Sequence, residues 1–244
     1  FKAARIKENW KSDDLDLEHM RRRNLSLTPL EAKRHKYNLT ELAGRKCFFK
    51  SHNSKTLVIW LHGGAYALGP FKQQLHRLGQ VCDQLAVDGI LPDYPKAPEN
   101  NYKDNLAFLE EFYHEVICHY DSFYILGDSA GGGLALGFSL MLQDKGLKTP
   151  TGIYTFSPWL DLSSSVDSSE YDANDPFLAQ KGLDQMAKYY GGDDLKSPYV
   201  SPFYGDFSKL DSNIFVYSGT HEIFHPTAME FVKINSQVVL RTFE

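Results

Sequence analysis

The stretch "SFYILGDSAGGGLALGFSLMLQDKG", residues 122–146, changes character twice. Its first six residues carry the aromatic and apolar run Phe123 to Leu126, as in a buried strand. Its last part is a run of small and apolar residues that reads as a helix stopped at Gly146. Between them lies "GDSAG", residues 127–131, a G-x-S-x-G pattern. A strand that passes into a helix through so short a turn must bend sharply. That bend pushes the Ser129 hydroxyl out of the sheet edge, and Gly127 and Gly131 leave room for it. The helix that starts there aims its free N–H groups, Ala130 among them, at whatever the hydroxyl attacks. Five residues of this pattern alone would be a weak signal; framed by strand and helix they are a specific one.

The flanking sequence repeats the alternation. "TLVIWL" (56–61) is apolar on both parities, as a strand covered on both faces should be. Residues 71–86 carry a helical stripe through Phe71, Leu75, Leu78, Val81, Cys82 and Leu85. "ILPDYP" ends a further strand, and residues 102–117 are amphipathic through Leu106, Leu109, Phe112, Tyr113 and Val116. "TGIYTFSP", "SNIFVYSG" and "QVVLRTF" read as later strands. Strand and helix in turn predict an α/β fold with a mostly parallel sheet and helices on both faces. Ligands of such sheets sit beyond the carboxyl ends of the strands. The first residues read as helical instead. Ser12 with Asp13 and Asp14 forms one helix start, closed by Arg21, Arg22 and Arg23. Thr28, Pro29 and Glu31 form a second start as a capping box. The expected division is a helical cap region over 1–46 and an α/β core over 47–244, its first strand in "KCFFK".

Directly behind "TLVIWL" comes "HGGAYALGP", residues 62–70. Adjacent glycines weaken a strand or helix and belong where the backbone bends or is closely approached. A serine that attacks an ester creates a tetrahedral oxyanion, which needs preorganised donors. The backbone amides of Gly63 and Gly64, joined by that of Ala130, are the expected donors.

The formal net charge of −5 argues against a nucleic-acid partner, which requires a basic face. No apolar stretch reaches the ~18 residues of a membrane span, and "FKAARIKENW" is no secretory signal. Cys47, Cys82 and Cys118 are sparse and odd in number, which predicts free, core-packed thiols and a cytoplasmic location. The segment "HEIFH" has the form of a zinc motif, but Pro226 follows it at once and no third ligand is evident, so no metal is expected.

The segments "HGGAY", "PDYPKAPE", "GDSAGGGLA", "SPWLDLS", "DPF", "SPFYGDF" and "VYSGTHEI" together resemble the hormone-sensitive-lipase-like branch of the α/β-hydrolases, which includes bacterial carboxylesterases and acetyl esterases. The resemblance covers residues 56 to about 224. It implies a serine hydrolase acting on short-chain esters through an acyl-enzyme, with Ser129 as nucleophile and no cofactor. The triad order of the fold is serine, acid, histidine. The acid follows the strand "NIFVYSG", where Glu222 is the only carboxylate at hand. His221 and His225 flank it, but His225 lies too close in sequence to serve as its partner. The family's histidine follows the final strand, so the general base is expected beyond Glu244. Tyr66, Trp159, Phe177 and Phe203 stand near these loops as candidates to line the substrate pocket. Asp93 and Asp161 are expected to be structural, and Asp128 a helix-start acid without chemistry. The alternative is a small-molecule receptor on the same fold that has lost the histidine; a homo-oligomer stays open.

Overall fold

Both faces of β3 (Thr56–Leu61) are covered. Leu57, Ile59 and Leu61 enter one buried cluster and Val58 and Trp60 a second, as alternation along a strand requires. The computed structural model describes residues 7–12, 15–23 and 27–244. In it β3 lies between β4 (Asp88–Pro92) and β5 (Ser122–Asp128), parallel to both. Beyond β5 follow β6 (Gly152–Phe156), β7 (Asn213–Gly219) and β8 (Val238–Phe243), each parallel to its neighbour. At the other edge β2 (Arg45–Lys50) pairs antiparallel with β4, and β1 (Asn38–Leu42) antiparallel with β2. The sheet thus has eight strands in the order β1-β2-β4-β3-β5-β6-β7-β8.

Along the chain the helices are α1 (Leu17–Arg23), α2 (Pro29–Arg34), α3 (Lys72–Leu85), α4 (Tyr102–Glu115), α5 (Ala130–Asp144), α6 (Ser169–Asn174), α7 (Gln180–Gly191) and α8 (His225–Ile234). Side chains of α2 and α3 fill one cluster; those of α4, α5, α7 and α8 fill the other. This is the mostly parallel α/β architecture the alternation predicts.

Strand order reverses at β3: β4 lies to one side and β5 to the other. Leu61 pairs in register with Gly127, so the loops after β3 and β5 leave the sheet side by side. Asp128 then pairs with Phe156, Phe156 with Tyr217, and Gly219 with Phe243. Five carboxyl ends therefore open on one edge, where such sheets bind ligands.

Helix α5 runs close behind that edge, and every residue from Ala130 to Leu142 is buried. A Cβ on Gly131 would lie 2.0 Å from the Leu61 carbonyl oxygen and 2.6 Å from that of His62. Both obstacles are backbone, at the end of β3 and just past it, so neither can yield. Gly131→Ala is expected to cost roughly 3 kcal/mol or more, read as a lower urea midpoint with unchanged m-value.

The amino-terminal part differs from expectation in two places. The sheet begins at Asn38, and the boundary expected at residue 47 falls inside β2. The β1–β2 connection is Ala43 and Gly44, both at positive φ (48° and 67°), the backbone of a two-residue hairpin. Helix α1 is capped not at Ser12 but by Asp16, whose Oδ1 accepts the His19 N–H at 2.8 Å; Asp13 and Asp14 lie outside the described residues. The Thr28–Glu31 capping box forms as predicted, with reciprocal bonds of 3.3 and 3.1 Å. Trp10 and Leu15 are buried, the Leu15 amide donates to Gln185 on α7 at 3.0 Å, and Lys7 donates to the Asp175 carbonyl at 2.8 Å. The segment ahead of the sheet thus packs on the β6–β7 connection.

Cys47 and Cys82 are free and buried, and burial pushes both thiols up to about 12. Cys118 is free but exposed, against the expectation of core packing. No helix among the described residues is long and apolar enough to cross a membrane.

Candidate active site

Ser129 has φ 51° and ψ −122°, a conformation that L-residues rarely adopt and that costs on the order of 1–3 kcal/mol. Its backbone is pinned on both sides. The Ser129 N–H donates to the Phe156 carbonyl at 2.9 Å, and its own carbonyl accepts from Gly132 (3.0 Å) and Trp159 (2.9 Å). Serine at a helix start commonly turns its hydroxyl onto the helix's first amides. Ser129 makes no such cap bond, and its Oγ has no partner among the described residues. The turn predicted for "GDSAG" is therefore present, with a hydroxyl left uncommitted at its apex.

The loop after β3 answers why two glycines stand there, and corrects part of the expectation. What approaches Gly63 is Asp128: a Cβ at 63 would lie 2.4 Å from Asp128 Oδ2. The Gly63 N–H donates to Asp128 Oδ1 at 3.1 Å, so that amide is already engaged and is not a free oxyanion donor. Gly64 has φ 125°, and a Cβ there would meet the Leu68 carbonyl oxygen at 2.4 Å. Its carbonyl accepts from Ala67 (3.0 Å) and Leu68 (2.8 Å). Ala65 and Tyr66 continue at φ 50° and 60°, a strained run of left-handed backbone. The amides of Gly64, Ala65 and Ala130 have no hydrogen-bond partner among the described residues. The uncommitted pair in this loop is thus Gly64 and Ala65, displaced by one from the predicted Gly63 and Gly64. Sequence alone could not place the shift, because an Asp128 side chain decides it.

Asp128 is more than a helix-start acid. Its carboxylate accepts from Trp60 Nε1 (2.8 Å), Gly63 N (3.1 Å) and Gln74 Nε2 (2.8 and 3.0 Å). Burial pushes its pKa up, against the pull of those donors. The residue before the serine therefore ties the Ser129 turn to the glycine loop. Gln74 cannot turn its amide over, since its Oε1 holds the Phe71 N–H at 2.8 Å. In Asp128→Asn the new NH₂ would face the Gln74 NH₂. The expected loss is about 1–3 kcal/mol in urea unfolding.

Glu222 stands where the sequence predicts, just past β7. Its Oε1 accepts from the Gly219 N–H (2.8 Å) and Ser218 Oγ (3.0 Å), its Oε2 from Ser157 Oγ (2.7 Å). Ser157 directly follows β6 at φ 47°, so the ends of β6 and β7 hold this carboxylate between them. The Thr220 N–H donates to the Phe243 carbonyl at 3.0 Å, which ties the Glu222 loop to the end of β8. No histidine ring among the described residues is bonded to the Glu222 carboxylate or to Ser129. His225 Nδ1 instead lies 3.0 Å from Ser218 Oγ, and burial lowers its pKa. His221 Nδ1 lies 3.0 Å from Thr220 Oγ1. His225 opens α8 while His221 and Glu222 precede it, so "HEIFH" does not ride one helical face.

The aromatic candidates divide. Tyr66 and Trp159 are 1% and 3% exposed. Tyr66 stacks on Tyr190 at 3.6 Å between centroids and leans on Trp159, which stacks in turn on Phe224. They pack against the first turn of α5: Tyr66 Oη would lie 2.8 Å from a Cβ on Gly133. In this conformation they are packing, not an open wall. Phe177 is 52% exposed midway along the α6–α7 connection and stays available to a ligand; Phe203 is half-buried against the core. Asp161 is structural as expected, its carboxylate accepting from the amides and hydroxyls of Ser163 and Ser165.

An esterase of Acinetobacter venetianus is 30% identical over 173 residues, covering 68% of this chain and 57% of that protein. An acetyl-hydrolase of Streptomyces hygroscopicus is 28% identical over 176 residues, covering 70% of this chain and 58% of its own length. The chain thus spans little more than half the length of these relatives. A crystal structure of an esterase from the bacterial hormone-sensitive lipase family superposes with a TM-score of 0.82 over 99% of this chain and 86% of its own, at 21% identity. That likeness shows the fold, and the sequence match extends it: a profile for the alpha/beta hydrolase fold matches residues 58–239, from β3 into β8, and the chain belongs to that family.

Proposed function

We propose that the chain carries the nucleophile, acid and oxyanion donors of a serine carboxylesterase for short-chain esters. One observation carries the reading: Ser129 is held at φ 51° with an uncommitted hydroxyl, beside a loop whose Gly64 and Ala65 amides are uncommitted too. Register places the two loops next to each other through the Leu61–Gly127 pair. Strain at the nucleophile and unpaired amides near it both cost stability, and such features persist where they serve chemistry.

In the proposed reaction Ser129 Oγ attacks the ester carbonyl carbon and the C=O pair moves onto oxygen. The amides of Gly64, Ala65 and Ala130 hold that oxyanion. A histidine takes the serine proton and passes it to the leaving alcohol; water then repeats the sequence on the acyl-enzyme. We place that histidine in the chain after Glu244, since Gly219 pairs with Phe243 and β8 therefore ends beside the loop of Glu222. The acetyl-hydrolase name of one relative supports a short acyl group, and Phe177 is proposed to contact it.

A fluorophosphonate probe tests this directly. Full-length protein is expected to label, with the adduct on the peptide containing Ser129. Absence of labelling would move the reading to a small-molecule receptor on the same fold.

A further inference from the structure

Arg21, on α1, makes four hydrogen bonds at the back of the glycine loop. Its Nε donates to the Ala67 carbonyl (3.1 Å), and its Nη2 to the Ala97 carbonyl (2.6 Å). Nη1 and Nη2 hold Glu99 in a two-pronged pair (2.7 and 2.8 Å). In the sequence this arginine stands only as part of the basic end of a helix. Two of its acceptors are carbonyls of loops that border the site, and the third, Glu99, fixes the guanidinium in place. Ala97 is itself tied in, since its N–H donates to the Tyr66 carbonyl at 2.9 Å.

The bond to Ala67 leads further. The Ala67 carbonyl shares its peptide plane with the Leu68 N–H. That N–H donates to the Gly64 carbonyl at 2.8 Å. The Gly64 carbonyl in turn shares its plane with the Ala65 N–H, one of the uncommitted amides. Guanidinium, peptide 67–68 and peptide 64–65 therefore form one chain, each positive end meeting the next negative end. In a trans peptide the N–H points opposite to the C=O, so pinning the Gly64 oxygen aims the Ala65 N–H. A cation at the head of such a chain polarises every bond along it.

We propose that Arg21 is a positioning residue for the reaction: through two peptide groups it aims and strengthens the Ala65 amide as an oxyanion donor. This makes the segment ahead of the sheet part of the catalytic apparatus, and it rests on the esterase reading above. The Arg21 hydrogen bond holds the Glu99 carboxyl down to about 2, so the pair stays ionised across the range in which esterases are assayed. The Arg21 and Glu99 side chains are 32% and 59% exposed, so water screens the pair and its share of stability is modest.

The test compares Arg21→Ala and Arg21→Lys with wild type in the full-length protein. The readouts are kcat and KM for p-nitrophenyl acetate, the affinity of a trifluoromethyl ketone that forms a tetrahedral adduct, and labelling by the fluorophosphonate. Removing an oxyanion donor outright costs about 10²–10³ in kcat, and weakening one should cost less. Arg21→Ala is therefore expected to lose ~10–100-fold in kcat with KM within about twofold, and the ketone affinity should fall in parallel. Lysine keeps the charge without the two-pronged hold, so Arg21→Lys should recover part of that loss, and it carries the test if the alanine variant does not fold. Wild-type kcat in both variants, or a loss confined to KM, overturns the proposal while leaving the esterase reading standing. Wild-type protein that neither labels nor turns over substrate overturns both.

Discussion

The Ser129→Ala protein is expected to hydrolyse p-nitrophenyl acetate with kcat reduced on the order of 10⁶-fold, and to unfold no more easily than wild type. The first half follows from the proposed role, since without Oγ no acyl-enzyme can form. The second half follows from the structure. Ser129 Oγ makes no hydrogen bond within the described residues, so its removal leaves no partner unpaired. The residue holds φ 51° and ψ −122°, and alanine bears that strain as serine does. Glycine does not, so Ser129→Gly should be equally inactive yet melt above Ser129→Ala. Inactivity together with equal or greater stability is the mark of a strained functional residue. Substantial turnover by either variant would remove Ser129 from the chemistry.

Much of this site is legible in the sequence because close backbone approach leaves a residue signature. Only glycine fits where Gly131 meets the Leu61 carbonyl and where Gly63 meets Asp128, so strand, turn and loop can be read from the glycine positions. Capping also reads well, since the Thr28–Glu31 box depends on neighbours alone. What depends on distant partners does not. β1 is an edge strand with no fully buried residue, so "NLTEL" shows no apolar alternation and passes unnoticed. Helix α7 buries Leu183, Met186, Ala187 and Tyr190 at helical spacing, but it takes Trp10 against Gly182 to reveal what the stripe packs on. The uncommitted amides of the loop fall one residue later than expected because Asp128, 65 positions away, captures Gly63 N. Asp16 caps α1 because its carboxylate reaches the His19 amide.

Glu222→Gln separates charge from shape more cleanly than any other change in the site. The carboxylate accepts three hydrogen bonds, from Gly219 N and Ser218 Oγ on Oε1 and from Ser157 Oγ on Oε2. A glutamine that places its oxygen at the Oε1 position keeps the first two. Its NH₂ then faces Ser157, whose hydroxyl can turn and accept instead of donate. No buried group is stranded, so stability should hold to within about 1 kcal/mol. Catalysis should not hold. An acid in this position orients the general base and stabilises its imidazolium form, and exchanging such a carboxylate for its amide costs about 10⁴ in kcat in a well-studied serine protease. The expectation here is a loss of ~10³–10⁴-fold in kcat with an almost unchanged melting curve. Ser157→Ala, which removes one donor but keeps the charge, should lose no more than about tenfold. Near-wild-type turnover in Glu222→Gln would mean that the three bonds only brace the β6 and β7 ends, and the acid would have to be sought elsewhere.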